Sequence, residues 1–328
     1  MGSKTLHVFN PEHDLALAVG RGPYTPPAEV KKIRKIQSLL PALYADSGDF
    51  ILRDADIKED EIKSLPYYSL AKEKAIRIIN PSEIVSITQD IGRVMPWGWD
   101  HALRRSLEEA GVSNNLLPSE ESLDKLRELS HRRTTILFRN SIAHLLSEEV
   151  INPPIELSCL EEVIQFLEFH PLSYFKAPWS SSGRGIVVSD HISRKGLLEW
   201  AHGIIRRQGS VIAEPSWNRV FDFATEWRVT KGTPEFLGYS VFKTSSRGKY
   251  HGNVEASQSE LLDTIKKNAP RFRDEIISAQ KHALQSNVAP WYEGPLGIDM
   301  LADSEGNINP CVEINLRITM GMIGLLKS

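Results

Sequence analysis

A lysine at the end of an apolar strand comes before a loop rich in serine and glycine, and this order constrains the fold. The segment runs from Tyr174 to Val188, with Lys176 on its first strand. The loop residues that follow are Ser180, Ser181, Ser182, Gly183 and Gly185. A Walker loop has its lysine after the glycines and opens a helix, whereas this chain continues into a second strand at 186–188. The segment therefore predicts a β-hairpin.

The composition of this loop is typical of a phosphate-binding segment. Glycine lets backbone N–H groups approach phosphate oxygens without a Cβ clash, and serine hydroxyls add further donors. Lys176 would supply a positive charge beside them. These features predict a triphosphate site, and the alternative is an ordinary surface hairpin with an extended lysine.

Two apolar runs near the C-terminus carry polar side chains at selected positions. Glu313, Asn315 and Arg317 alternate with apolar residues, and Asp299 lies in the run 297–301. Because side chains alternate between the faces of a strand, we expect them on one face, with Asp299 joining from a neighbouring strand. Carboxylate and amide oxygens suit Mg²⁺ or Mn²⁺, so Asp299, Glu313 and Asn315 predict a site for one or two ions. The alternative is a strand pair with one solvated face.

Composition excludes several classes of protein. The chain has 39 Lys and Arg residues and 42 Asp and Glu residues, so its net charge is -3. It has no basic stripe with interleaved aromatic residues of the kind that binds nucleic acid. Cys159 and Cys311 lack the spacing of a zinc site and predict small core residues. Polar residues at 10–14 interrupt the first apolar run, and no stretch approaches a membrane span. We therefore expect a cytoplasmic protein with no membrane partner.

The periodicity of apolar residues predicts a mixed α/β (α+β) chain of 328 residues. An N-terminal α/β domain is predicted at 1–118, a part with the glycine-rich loop at 119–214, and a part with the metal ligands at 215–328. Strands are predicted at 6–9, 50–52, 174–177, 186–189, 211–214, 226–230, 236–242, 296–301 and 309–314. Helices are predicted at 28–44, 100–110 and 193–207, with a longer helical region at 259–286.

The order of these motifs resembles the ATP-grasp superfamily from about Ser119 to the C-terminus. In that family a lysine strand and glycine-rich loop precede a hinge strand that ends in an acidic residue. An acidic-x-Arg strand and then Asp and Glu-x-Asn metal ligands follow. The matching segments here are 211–215, 225–229, 297–299 and 313–315. The resemblance implies an ATP-grasp fold after a small α/β domain, with ATP and Mg²⁺ as cofactors.

The resemblance also implies roles for nucleotide-binding residues. Lys176 would contact the ATP phosphates, Glu214 would line the adenine, and Glu226 would reach the ribose or the active-site face. Asp222 competes with Glu226 for the ribose. Arg132 stands where the family has an upstream nucleotide-binding lysine, and the alternative for it is a charged helix surface.

Two further segments resemble different branches of the family. The stretch 240–253 resembles the ribosomal-protein glutamate ligases, which implies that Lys243 and Asn253 face the reaction centre. The final Glu-x-Asn-x-Arg resembles biotin carboxylase and carbamoyl phosphate synthetase, which implies that Arg317 positions an oxyanionic substrate.

Together these features predict an ATP-dependent ligase that joins a carboxylic acid to an amine through an acylphosphate, releasing ADP and phosphate. The expected partners are a small-molecule carboxylate and an amine, with a peptide as an alternative. Two other functions stay open: a small-molecule kinase with the same nucleotide site, and a nucleotide-binding protein without turnover. In the N-terminal domain, His13 or Asp14 would either contact the substrate or stabilise a turn.

Overall fold

The chain folds into two units, Met1–Arg127 and Glu128–Leu326. The structure is a computed structural model that describes residues 4–180, 185–244 and 250–327, without the side chains of residues 244, 250, 251, 326 and 327. Within the described part of the chain, no helix is long and apolar enough to cross a membrane.

The first unit is built on a parallel sheet with the order β3-β2-β1-β4. Parallel neighbours need crossover connections, and helices supply them. The strands are β1 (Lys4–Val8), β2 (Phe50–Leu52), β3 (Arg77–Ile79) and β4 (Ile91–Pro96). The helices are α1 (His13–Val19), α2 (Ala28–Ile36), α3 (Tyr68–Glu73), α4 (Ile84–Ile87) and α5 (His101–Glu109), with 3₁₀ turns at Leu40–Leu43, Ile62–Ser64, Pro81–Glu83 and Asn114–Leu116. α6 (Glu120–Leu129) crosses from the first unit into the second.

Asn10 ties the ends of β1 and β4 together. Its Nδ2 donates to the Gly98 carbonyl oxygen at 2.7 Å and to Asp100 Oδ2 at 3.2 Å. Asp100 Oδ1 in turn accepts the Leu103 N–H at 2.9 Å and so caps α5. A Cβ at position 98 would lie 2.6 Å from the His13 ring, so this end of the sheet is filled. The choice between a substrate contact and a turn for His13 or Asp14 stays open.

The second unit contains two antiparallel sheets, which we call the small sheet and the large sheet. The small sheet has the order β5-β8-β6-β7 and comprises β5 (Ile155–Leu157), β6 (Ser173–Lys176), β7 (Ile186–Val188) and β8 (Val211–Pro215). The large sheet has the order β11-β10-β9-β12-β13 and comprises β9 (Arg219–Thr230), β10 (Thr233–Thr244), β11 (Tyr250–Asn253), β12 (Gly294–Asp303) and β13 (Ile308–Asn315). The helices are α7 (Arg133–Leu146), α8 (Leu160–Phe169), α9 (Arg194–Gln208), α10 (Gln258–Asn268), α11 (Asp274–Asn287) and α12 (Met320–Lys327).

Alternation along β9 gives the large sheet one apolar face and one polar face. Phe223, Thr225 and Trp227 are buried on the helix side, where Thr225 Oγ1 donates to Gln280 Oε1 of α11 at 2.9 Å. Glu226, one position along, is directed to the opposite face. The helix layer therefore covers one side of the sheet and leaves the other to polar side chains.

Several element boundaries differ from the sequence-based prediction. The helical region expected at 259–286 is two helices, because Pro270 lacks the amide hydrogen that would continue α10. β9 begins at Arg219, so the strand predicted at 226–230 is the second half of a longer strand. α7 was not among the predicted elements.

We predict that Trp227→Ala lowers the free energy of unfolding of the second unit by about 3–5 kcal/mol, because it removes a fully buried indole from the centre of the large sheet. Trp291→Ala is the matched control: that side chain is 63% exposed, and the expected loss is below about 1 kcal/mol. Urea unfolding followed by far-ultraviolet circular dichroism measures both, and equal losses would contradict the packing described for β9.

Candidate functional site

Three polar side chains that the sequence assigns to a metal lie together on the large sheet. Asp299 of β12 is directly opposite Glu313 of β13. Asn315 Nδ2 donates to Asp299 Oδ2 at 3.2 Å, and Arg317 Nη2 donates to Asn315 Oδ1 at 2.9 Å. The guanidinium of Arg317 therefore lies next to the carboxylates, just beyond the end of β13.

The electrostatics of this cluster favour a bound cation. The pKa of Asp299 is raised to about 7, first by burial and then by the neighbouring carboxylates of Glu313 and Glu226, while Arg317 and the hydrogen bond from Asn315 act to lower it. Among the described residues, no group of three or more His, Cys, Asp or Glu side chains forms a metal centre. Two carboxylates are instead a partial oxygen shell, which suits Mg²⁺ because that ion keeps water and phosphate ligands. The oxygen of Asn315 accepts from Arg317, so its role as a third ligand stays a prediction.

Glu226 is 1% exposed and is held entirely by protein hydroxyls in its described contacts. Ser240 Oγ donates to its Oε1 at 2.9 Å and Thr319 Oγ1 donates to its Oε2 at 2.7 Å. Burial raises the pKa of Glu226 to about 7, although these hydrogen bonds and Arg317 lower it. A Cβ at position 321 would lie 2.0 Å from Glu226 Oε1, so glycine is required there. These contacts join β9, β10 and the segment before α12, and the ribose contact stays a prediction.

Lys176 and Glu214 form a buried ion pair on the small sheet. The side chains share a face, because Tyr174, two residues before Lys176, is the cross-strand partner of Glu214. The second carboxylate oxygen of Glu214 lies 3.5 Å from Arg139 Nη1 of α7. Glu214 is therefore shared between two cations.

Arg132 connects the glycine-rich loop to the cluster of Asp299, Glu313 and Asn315. It is 6% exposed, and its guanidinium donates to Ser180 Oγ at 2.7 Å and to Glu313 Oε1 at 2.7 Å. A Cβ at position 185 would lie 2.3 Å from Ser180 Oγ, and the Ala177 N–H donates to the Gly185 carbonyl oxygen at 2.7 Å. The two ends of the loop are thus closed on each other beside Arg132.

The remaining predicted residues lie farther along the second unit or outside its described part. Lys243 is exposed near the end of β10, and Asn253 of β11 donates through Nδ2 to the Met320 carbonyl oxygen at 2.5 Å. Ser181, Ser182 and Gly183 lie outside the described residues. Nucleotide or substrate contacts of all these residues stay predictions.

Sequence reasoning did not find Arg139, Ser240 or Thr319. Arg139 follows Arg132 by seven residues, which is about two turns of helix, so recognition of α7 would have placed both on one face. Ser240 and Thr319 carried no comparable signal, because their approach to Glu226 depends on the pairing of β9 with β10 and on the turn before α12.

Comparison with known proteins shows limited sequence similarity. No family model matches the chain. A curated relative, [Butirosin acyl-carrier protein]–L-glutamate ligase of Niallia circulans, is 29% identical over 150 residues, which are 44% of this chain and 32% of the relative. The chain thus spans about a third of the length of that relative.

Solved structures match over nearly the whole chain. N5-carboxyaminoimidazole synthetase from Staphylococcus aureus, complexed with ADP, has a TM-score of 0.54 and 13% identity over 96% of this chain and 71% of that one. Biotin carboxylase from Campylobacter jejuni has a TM-score of 0.57 and 14% identity over 99% and 71%. The biotin carboxylase domain of 2-oxoglutarate carboxylase from Hydrogenobacter thermophilus has a TM-score of 0.55 and 13% identity over 99% and 68%. All are ATP-grasp enzymes, so the expected fold is confirmed.

We predict that the metal-free protein becomes less stable as pH rises from about 4 to about 7. The pKa of Asp299 is higher in the folded chain than its ordinary value of 3.8, so the folded state binds more protons across this interval and loses stability as they leave. Asp299→Asn should weaken the fall in melting temperature between pH 5 and pH 8 in a chelating buffer. Glu199→Gln, on a surface residue, is the control, and an unchanged slope in Asp299→Asn would contradict the assignment.

Proposed function

We propose that this chain, whose fold is that of the ATP-grasp enzymes, joins a carboxylic acid to an amine at the expense of ATP, with release of ADP and phosphate. The observation that carries the proposal is the arrangement of Asp299, Glu313, Asn315 and Arg317 beside Arg132 and the closed loop ends. Together these groups would supply a partial cation shell, a phosphate-binding loop and a guanidinium for an anionic substrate.

Asp299, Glu313 and Asn315 would hold one or two Mg²⁺ ions on the nucleotide, and Mn²⁺ has the same ligand preference. Bound Mg²⁺ neutralises charge on the phosphates. Lys176 and the loop from Ser180 to Gly185 would hold the phosphates, with Glu214 beside the adenine. The 2-oxoglutarate carboxylase domain among the structural neighbours is complexed with MgADP, which supports this pair of cofactors.

Two displacement steps account for the products. A carboxylate oxygen of the acid attacks the γ-phosphorus of ATP, and the bond to the ADP oxygen breaks. The amine nitrogen then attacks the carbonyl carbon of the acylphosphate, phosphate departs with the bonding electron pair, and the nitrogen loses a proton. Arg317 would orient the acid and stabilise developing negative charge, and Lys243 and Asn253 would approach the same centre from β10 and β11.

The curated relative suggests which acid to test first. Its name describes a ligase for L-glutamate and an acyl-carrier protein. We therefore place amino acids, with L-glutamate first, among the substrates of this chain, alongside small-molecule or peptide amines. Residues 119–214 would then form the part that carries the loop, residues 215–328 would carry the metal ligands, and the cytoplasm would supply ATP.

We predict ADP release that depends on both an acid and an amine in a screen that starts from L-glutamate. Asp299→Ala and Glu313→Ala should each abolish turnover, because each removes half of the carboxylate pair. Coupled detection of ADP, with product mass spectrometry, separates ligation from phosphorylation of a single acceptor. AMP and pyrophosphate as products would exclude the acylphosphate route.

We predict that Arg132→Lys weakens ATP binding by about tenfold or more. Lysine keeps the charge but cannot contact Ser180 and Glu313 at once, and hydrogen bonds to charged groups contribute about 1.5–3 kcal/mol. Arg133→Lys is the control, because the side chain of Arg133 forms its ion pair with Glu156 and not with Ser180 or Glu313. Titration calorimetry measures both, and an unchanged dissociation constant in Arg132→Lys would show that the bridge is dispensable.

A further inference from the structure

A cavity of about 610 Å³ lies in the second unit, and neither Asp299 nor Glu313 is among the residues that line it. Its walls come from α7, the segment 148–151, the turn before α11 and the start of β13. The apolar part of the wall consists of Ile142, Leu146, Phe272, Ile276 and Ile308. This volume lies within the range of about 300–1,000 Å³ that is usual for small-molecule sites.

Arg139 is a buried cation in the wall of this cavity and is 2% exposed. Its Nη1 lies 3.5 Å from Glu214 Oε2 and its Nη2 donates to the Ile151 carbonyl oxygen. Its Nε is buried and has no hydrogen-bond partner in the described part of the chain. The guanidinium carbon of Arg139 also lies 5.8 Å from the centre of the Trp217 ring. Desolvation still lowers the pKa of Arg139 despite Glu214, so the burial of this charge is only partly compensated. A second anion beside Arg139 would therefore be stabilised.

The other charged groups in the wall balance one another. Arg273 Nη2 is 2.7 Å from Glu148 Oε1, so these two charges neutralise each other. Arg271 donates to the neutral amide oxygen of Asn307, and Glu149 is exposed at the edge. Arg271 and Arg273 are thus matched in number by Glu148 and Glu149, and Arg139 is the remaining cation of the wall, shared with Glu214 from outside it.

We infer that this cavity binds a small monocarboxylate with an apolar body, whose carboxylate pairs with Arg139 and whose body packs on Ile142 and Phe272. A neutral molecule of the same shape would bring no anion to the partly compensated charge of Arg139. The apolar walls favour an aromatic or branched body over a polar one.

The site is coupled to the nucleotide through Glu214, a step that rests on the proposed function. Glu214 is shared between Arg139 and Lys176, the residue assigned to the ATP phosphates. A carboxylate in the cavity competes with Glu214 for Arg139 and leaves Glu214 to pair with Lys176 alone. That pairing opposes phosphate binding by Lys176, so the ligand lowers the affinity for ATP, and ATP lowers the affinity for the ligand equally.

The first experiment titrates the full chain with 3-phenylpropionate in the absence of nucleotide. The matched control is 3-phenylpropanamide, which has the same apolar body and no charge. We expect saturable binding of the acid with a dissociation constant on the order of 1 mM and at least about tenfold weaker binding of the amide. Equal affinities, or no binding of the acid up to about 20 mM, would overturn the inference.

Two variants on α7 locate the binding. Ala143→Phe fills the cavity from a lining position, whereas Leu137→Phe adds an aromatic ring at a side chain that is 58% exposed and absent from the wall. Ala143→Phe should weaken 3-phenylpropionate binding by about tenfold or more, and Leu137→Phe should leave it unchanged. Arg139→Lys, which retains the charge, checks the role of the guanidinium if Ala143→Phe does not fold. Full affinity in a folded Ala143→Phe protein would place the ligand elsewhere and contradict the assignment.

The second experiment measures ATP affinity with and without saturating 3-phenylpropionate. We expect the dissociation constant for ATP to rise about threefold or more in the unmodified chain and to stay unchanged in Ala143→Phe. An unchanged constant in the unmodified chain would refute the coupling through Glu214. If neither the unmodified chain nor Ala143→Phe binds ATP, the proposed nucleotide site is refuted. The cavity site is tested independently, by the titration with 3-phenylpropionate in the absence of nucleotide.

Discussion

The bridge from Arg132 to Ser180 and Glu313 is the interaction on which the geometry of the candidate site depends. A buried guanidinium is costly unless it is paired, and here one side chain is paired with both the loop and β13, the strand of the predicted metal ligands. The position of the loop ends relative to Asp299 and Glu313 is therefore set by a single planar group. An arginine suits this role because its donors diverge in a rigid fork, whereas a lysine has one compact ammonium group.

Two other carboxylates of the second unit also contact two partners each. Glu214 divides its two oxygens between Lys176 and Arg139, and Glu226 divides its two between Ser240 and Thr319. Neither carboxylate is held by one partner alone. A nucleotide phosphate bound to Lys176 would therefore change how Glu214 is shared and so affect Arg139. The proposed coupling between the cavity ligand and ATP rests on this shared carboxylate.

Much of the architecture could be predicted from local pattern. The hairpin around Lys176, the hinge strand at 211–215 and the strand pair that carries Asp299 and Glu313 all follow from two-residue alternation and turn composition. α7 was harder to recognise because polar and charged residues interrupt its apolar positions, and Arg139 was missed with it. The break at Pro270 inside the predicted helical region had a local signal in proline itself.

The sequence by itself determined the order of the motifs, the faces of the strands and the confirmed ATP-grasp fold, since these depend on local spacing and on the chemistry of each side chain. Only the tertiary structure decided that Arg132 contacts Glu313, that Glu214 is shared, and that Glu226 is enclosed by Ser240, Thr319 and Gly321. These contacts join residues up to 181 positions apart in the chain. Their pairing depends on strand register and on helix placement, which no local periodicity encodes.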